Sequence, residues 1–321
     1  LLEIADILTH GRKKENFVGH PFTLDYSIAK ILVSDAWKHQ VKGIPQGAFL
    51  LAYYDGEKDV EEAILLRALG PTTLPTDSAV ISSMIEYYKD NMNITGRAGS
   101  SKESKLDEFT RYEFSFSGLE CRVLGVFYRK KLEEDSEKIE IEFGADLENF
   151  YSANNYSVYK VNEQVLQAIV NQRDNNGIPG ASFRIGKVRY SSSRRFQEME
   201  SDVQVLVSPE DFLGKRTALF GMTRTGKSNT VKKIIQATVQ ISDKAIETEL
   251  PDEKTEDLGT LSDAGYPIYP VGQIIFDVNG EYANPNMQDE HTAIYELYSN
   301  RVERYSVVSK PGFKVMKVNF Y

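Results

Sequence analysis

The chain has 321 residues, 41% of them hydrophobic and 26% charged, which is ordinary globular usage and enough length to bury a core in two or three domains. No apolar run reaches the roughly 18 to 20 residues that carry a helix across a bilayer, and the one cysteine, Cys121, excludes an intramolecular disulfide framework and a multi-cysteine zinc site. The net charge of −9 argues against a surface that binds nucleic acid everywhere by bulk electrostatics, though not against a local basic channel.

Residues 1–10 mix acids with leucines and lack the basic flank and long apolar stretch of a signal peptide, so a cytoplasmic chain with no membrane association is expected. From Phe17 to about Tyr54, runs of strand character at 27–34 and 48–54 are punctuated by Gly43, Pro45 and Gly47, which predicts a small antiparallel β unit. A further run at 63–69 precedes Pro71 and Pro75. Asp77, Val80, Met84 and Tyr88 then recur at helical spacing behind caps at Thr76 and Asp77. Polar residues 91–107 predict an exposed loop, and strands resume at 111–116 and 121–128. The mixed charges of 129–137 predict a hairpin tip or solvated loop. Asn162 ahead of Val165, Ala168 and Ile169 predicts a capped amphipathic helix, followed by strands at 182–190 and 202–207.

The rhythm changes near residue 208. A short apolar run at 217–220, a glycine-rich loop and a helix with Val231, Ile234, Ile235, Thr238 and Val239 on one face read as strand, loop, helix. An acidic insertion occupies about 242–267, and 273–276 predicts a second buried strand ending at Asp277. The expected division is a β-rich assembly region over 1–208 and the first part of an α/β phosphate-loop domain over 209–321.

Gly221-Met222-Thr223-Arg224-Thr225-Gly226-Lys227-Ser228 fits G-x-x-x-x-G-K-[ST] in full. The chemistry needs glycines because the backbone must curl until its N–H groups face the phosphates, beside the positive end of the following helix. Lys227 is expected to bridge the β- and γ-phosphates of ATP, and the Ser228 hydroxyl to be a magnesium ligand. Fifty residues on from Lys227, by their numbers, Asp277-Val278-Asn279-Gly280-Glu281-Tyr282 follows the second apolar run. A carboxylate at a strand end there faces a nucleotide crevice, so Asp277 is assigned to a magnesium water and Glu281 to orienting the attacking water or sensing the γ-phosphate.

The two motifs, GMTRTGKSNT at 221–230 and IIFDVNGEY at 274–282, resemble the HerA branch of the FtsK-HerA hexameric DNA translocases, which carry a G-x-T-G-S-G-K-S-N loop and a D-P-H-G-E-Y motif. The resemblance implies a RecA/FtsK-like P-loop ATPase core, incomplete at its C-terminus, preceded by a β-rich HerA-type barrel with added helices. It implies nucleotide contacts from Gly221, Thr223, Gly226, Lys227, Ser228 and Asn229, with Arg224 and Thr225 in the same loop, and second-motif roles for Asp277, Gly280, Glu281 and Tyr282. It also implies a homo-hexameric ring with DNA in its pore, working with a nuclease or sirtuin-like effector subunit in DNA end processing or antiviral defence. A nucleotide-gated scaffold without translocation, and a conjugation-type pump, are the other readings the motifs allow.

Several departures from the family pattern stand out. Arg224 replaces a central glycine, Val278 and Asn279 replace Pro and His, and the family's later hydrolytic glutamate and trans-acting arginine have no counterpart before Tyr321. A basic cluster, Arg184, Lys187, Arg189, Arg194, Arg195, Lys215 and Arg216, reads either as a solvated strand face or as a surface turned to a neighbour's nucleotide or DNA. The aromatic pairs Tyr53-Tyr54, Tyr87-Tyr88 and Phe127-Tyr128 read as half core and half rim, with base stacking the sharper alternative. His10, His20, His39 and His291 lie far apart and no G-x-S-x-G elbow occurs, which gives metal hydrolase and serine esterase readings no support.

Overall fold

The structure, a computed structural model, describes residues 6–56, 62–79, 82, 115–131, 139–171, 182–190, 203–208, 211–222, 226–247, 249, 261–285 and 291–317. It divides into two compact units, one of residues 1–174 and 187–203, the other of residues 175–186 and 204–321.

The first unit opens with α1 (Asp6–Gly11), β1 (Phe17–Leu24), β2 (Ile28–Ser34), α2 (Asp35–Gln40), β3 (Phe49–Tyr54) and β4 (Glu62–Thr72). It continues with β5 (Phe116–Lys131), β6 (Ile139–Gly144), β7 (Tyr156–Lys160) and α3 (Glu163–Val170). The sheet order is β2-β1-β7-β3-β4-β5-β6, and β2 also pairs with β5. All these ladders are antiparallel, so six strands close into a barrel and β6 hangs outside the ring on β5.

The apolar runs of β3 and β4 are continuous rather than alternating because both faces of those strands are buried. Leu50 and Ala52 of β3 join Ile64, Leu66 and Ala68 of β4 in a core to which all six ring strands contribute. The intervening Leu51 and Tyr53, with Ala63 and Leu65, pack outward against Leu8 of α1 and Val165 and Leu166 of α3. At about 25 cal/mol per Å², each such side chain contributes roughly 1.5–3 kcal/mol to closing the two layers. Asn162 caps α3 as its sequence implies: the Val165 N–H donates to Oδ1 at 2.9 Å, while Nδ2 donates to the His10 carbonyl at 3.1 Å and ties α3 to the end of α1.

One buried group in this core has no partner. The Tyr53 hydroxyl makes no hydrogen bond among the described residues, and burial drives its pKa above the ordinary phenol range. Tyr53→Phe is therefore expected to raise stability by about 1 kcal/mol, because no bond is lost and a desolvated hydroxyl disappears. Burial likewise raises Tyr156 and pushes the Cys121 thiol up to about 12 from its usual 9.0. Raised pKa values favour the protonated forms in the fold, so this stability is intact below the ordinary values and is lost as pH climbs through the folded ones. Urea midpoints should fall progressively above about pH 9, and less steeply for Tyr53→Phe; equal slopes would sink the assignment.

The second unit contains β8 (Phe183–Lys187, of which Lys187 counts with the first unit), β9 (Gln204–Val207), α4 (Lys227–Ser242), α5 (Ile294–Leu297), β10 (Tyr305–Ser306) and β11 (Lys314–Val315). It overturns the expected fold class. The ordered sheet of this protein is a closed antiparallel barrel, and no α/β P-loop core stands beside the glycine loop among the described residues. Residues 217–220 and 273–276 form no regular element and enter no ladder. Phe220 is 92% exposed and Phe276 88%, which is not the environment of the buried strands their apolar character predicts. Apolar runs report only that a segment suits burial; a parallel sheet also needs neighbours in register. The short β10 and β11, two residues each, pair in parallel.

The buried face of α4 carries Ile235, Ala237, Thr238 and Ile241; of the predicted face Ile235 and Thr238 are buried and Val231, Ile234 and Val239 half-buried. Of the predicted helix after Pro75, residues 77–79 and 82 are helical and the rest lies outside the described residues, as does the loop at 91–107. The acidic insertion is described at 243–247 and 261–267, where Ile246 and Glu247 donate to the carbonyls of Pro267 and Ile268. No helix among the described residues is long and apolar enough to cross a membrane.

Candidate functional site

The glycine loop leads into α4 through Gly226, whose φ of +89° and ψ of 11° are left-handed, a conformation only glycine adopts without strain. Gly226 is the N-cap, and no side chain caps the helix. The first intrahelical bond runs from Thr230 N–H to the Gly226 carbonyl, so the N–H groups of Lys227, Ser228 and Asn229 precede the hydrogen-bonded ladder at the positive end of a 16-residue helix. Lys227 Nζ donates to the carbonyls of Gly221 and Met222, each at 2.6 Å, so the loop wraps its own lysine. Thr223, Arg224 and Thr225 lie outside the described residues.

The second motif reaches this loop by running back along α4. Val271 N–H donates to Ser242 Oγ at the helix C-terminus (2.9 Å), and Gln273 Nε2 donates to the Ile235 carbonyl midway (3.2 Å). At the N-terminus Ser228 lies near the Tyr282 phenol. Burial raises the Tyr282 pKa most, the charges of Glu281 and Asp277 raise it further, and the nearby Ser228 hydroxyl opposes them. Ser228, Asp277, Glu281 and Tyr282 are thus one electrostatic neighbourhood.

Asp277 organises the turn. Its Oδ1 accepts from Glu281 N–H, and its Oδ2 from Tyr282 and Ala283 N–H, all at 2.9 Å. Gly280 supports the same turn with φ +75°, and its carbonyl accepts from Asn284 Nδ2 at 3.1 Å. Sequence reading missed the support behind it. Arg304 lies over the rings of Tyr295 and Phe313, 3.9 and 4.4 Å from their centroids, and Nη1 donates to the Ala283 carbonyl at 2.8 Å. An arginine 21 residues downstream with no motif around it gives no local signal.

Of the basic cluster, Arg184 and Lys187 are exposed on β8, and Arg189, Lys215 and Arg216 are exposed beyond it; Arg194 and Arg195 lie outside the described residues. Tyr53 and Phe127 are core, Tyr54 and Tyr128 half-buried, and Tyr87-Tyr88 lies outside the described residues.

The Lys227 ammonium on the carbonyls of Gly221 and Met222, the N-terminus of α4 and the adjoining Asp277 turn are groups of the kind that suit a phosphate. Residues 183–248 match the family described as Helicase HerA, central domain, a segment that spans β8, β9, the loop and all of α4. The resemblance to HerA-like ATPases of the FtsK-HerA superfamily is thereby borne out over that segment, and it points to an ATPase motor of that type. No curated protein matches the chain.

Proposed function

We propose that this chain works as an ATP-driven DNA translocase or helicase, assembled as a homo-hexameric ring that passes DNA to a nuclease or sirtuin-like effector, in DNA end processing or antiviral defence. The observation that carries the reading is the match of 183–248 to the helicase HerA central domain, a segment that contains the loop with Lys227. The geometry supports it, since Asp277, Glu281 and Tyr282 come to the helix end that carries Ser228.

In this reading residues 221–229 cradle the nucleotide, with Arg224 close to its phosphates, and Lys227 places its charge on the β- and γ-phosphates. The Ser228 hydroxyl and the Asp277 carboxylate are hard oxygen donors, and Asp277 Oδ1 accepts only one of the three turn bonds, so this pair suits magnesium. Bound there, the ion supplies charge neutralisation between phosphate oxygens. Glu281, exposed beside Tyr282, orients the attacking water. Residues 1–208 serve assembly and 209–321 nucleotide binding.

The test is ATP hydrolysis with and without double-stranded DNA. Stimulation by DNA together with ATP-dependent strand displacement supports the motor. Activation of an effector by ATP with no DNA-dependent turnover assigns the nucleotide-gated scaffold instead.

A further inference from the structure

On the barrel unit, far in sequence from the phosphate loop, a cleft of about 350 Å³ is lined by Arg12, Lys14, Phe17, Trp37, Gln40 and Tyr159. Its volume falls in the range of small-molecule sites, about 300 to 1,000 Å³. Among the described residues three aromatic rings and two cations line it and no carboxylate does, on a chain whose net charge is −9.

The lining is assembled by specific contacts. Phe17 of β1 and Tyr159 of β7 are direct cross-strand partners, their rings 5.6 Å apart and nearly perpendicular. Trp37 packs edge-on to Phe17 at 5.0 Å and is fixed by the start of α2, where its N–H donates to Ser34 Oγ at 3.2 Å. Gln40 Nε2 donates to the Lys14 carbonyl at 2.9 Å, joining the end of α2 to the 3-10 turn that carries Lys14. Arg12 is steadied by Asp55 at 3.1 Å, and Asp55 also accepts from Ser157 Oγ at 2.6 Å. The Lys14 side chain is exposed and has no ion-pair partner among the described residues. All three rings stay only partly buried, although a barrel core lies beside them.

We infer that this cleft binds a nucleotide unit, a planar base against the Trp37, Phe17 and Tyr159 rings with its phosphate on Lys14 and Arg12. Aromatic faces accept any base, and the exposed Lys14 ammonium suits the phosphate that follows it. The unit can be a free mononucleotide or one residue of a single strand, and these are distinguished below. A duplex is a poor occupant because its bases are already stacked. The site is independent of the phosphate loop and does not rest on the proposed motor activity.

Trp37 is the only tryptophan of the chain, so its emission reports this cleft alone. The full chain carrying Lys227→Ala, which removes phosphate-loop binding from the reading, is titrated with thymidine monophosphate, an oligothymidylate and a thymidine-adenine duplex. Quenching of Trp37 by the first two, with half-saturation weakened at least about tenfold by Lys14→Glu, is the expected result. An oligothymidylate half-point at least about tenfold below that of the mononucleotide identifies a strand site, and equal half-points a free-nucleotide site. Unchanged emission with both probes, equal quenching by the duplex, or an unaltered half-point in Lys14→Glu would overturn the inference. Lys14→Gln, milder at this exposed position, repeats the test if Lys14→Glu alters the thermal melt.

Discussion

Lys227→Ala is expected to reduce ATP turnover by at least about a hundredfold while leaving the fold intact. The ammonium is held at 2.6 Å by the carbonyls of Gly221 and Met222, which are dipoles rather than charges. A triphosphate entering the loop offers formal negative charge in their place, and the charge-assisted bonds so formed are about twice as strong as neutral ones. Alanine removes the cation at the point where charge develops on the transferring phosphoryl group. The two carbonyls released are solvent-exposed, so their loss should cost less than about 0.5 kcal/mol in stability. Phosphate release and a urea melt, measured on the same preparation, separate the two effects. Retained hydrolysis would remove Lys227 from the site, and a collapsed melt would make it structural. Lys227→Arg should not restore turnover, because a planar fork does not replace a compact point charge.

Gly125→Val should destabilise the barrel by about 3 kcal/mol or more, the second large effect. Leu65 pairs with Gly125 but Leu66 with Val123, so Leu124 is an extra residue in β5 and the strand bulges there. Gly125 has φ +148°, and an added Cβ would press on the backbone oxygen of Gly144 and on the Phe143 ring, both in β6. The clash is with a ladder rather than a flexible side chain, and β5 is the strand that meets β2 to close the ring. Gly70→Ala is the control: it also sits at an irregularity in the β4–β5 pairing, yet a Cβ there meets nothing within 4 Å. Similar urea midpoints for the two variants would refute the steric argument.

Local chemistry made much of the barrel legible. The strands at 27–34, 48–54 and 63–69 fall on β2, β3 and β4, and the Asn162 cap falls on α3, because β-branched runs and capping oxygens act within a few residues. What escaped was set at long range. β5 runs unbroken through Ser117 and Gly118, which read as a gap between two strands, because β2 and β4 hold it on both sides. Arg129, Lys130 and Lys131 read as a loop for their charge but extend β5, where they pair with Ile141, Glu140 and Ile139.

In the second unit the two motifs were legible, and so was the helix between them. Their meeting near Ser228 was expected from the motifs, but the contacts through Ser242, the Ile235 carbonyl and Arg304 that support it were not, because they lie far from either motif in sequence. The α/β core was expected from the phosphate-loop motif, its strand-loop-helix order and the family resemblance, none of which guarantees that the two apolar runs pair.

Barrel closure has a further effect on how this protein meets other chains. A ring of strands has no rim on which a foreign strand can nucleate, and here the sheet retains a free margin only at β6, the strand outside the ring. That margin reads Ile139-Glu140-Ile141-Glu142, with Glu142 accepting a bond from the Tyr128 hydroxyl at 2.7 Å. An incoming strand would set its side chains beside the Glu142 carboxylate. A strand that adds at this margin of the barrel sheet and sets lysine or arginine opposite Glu142 pairs best.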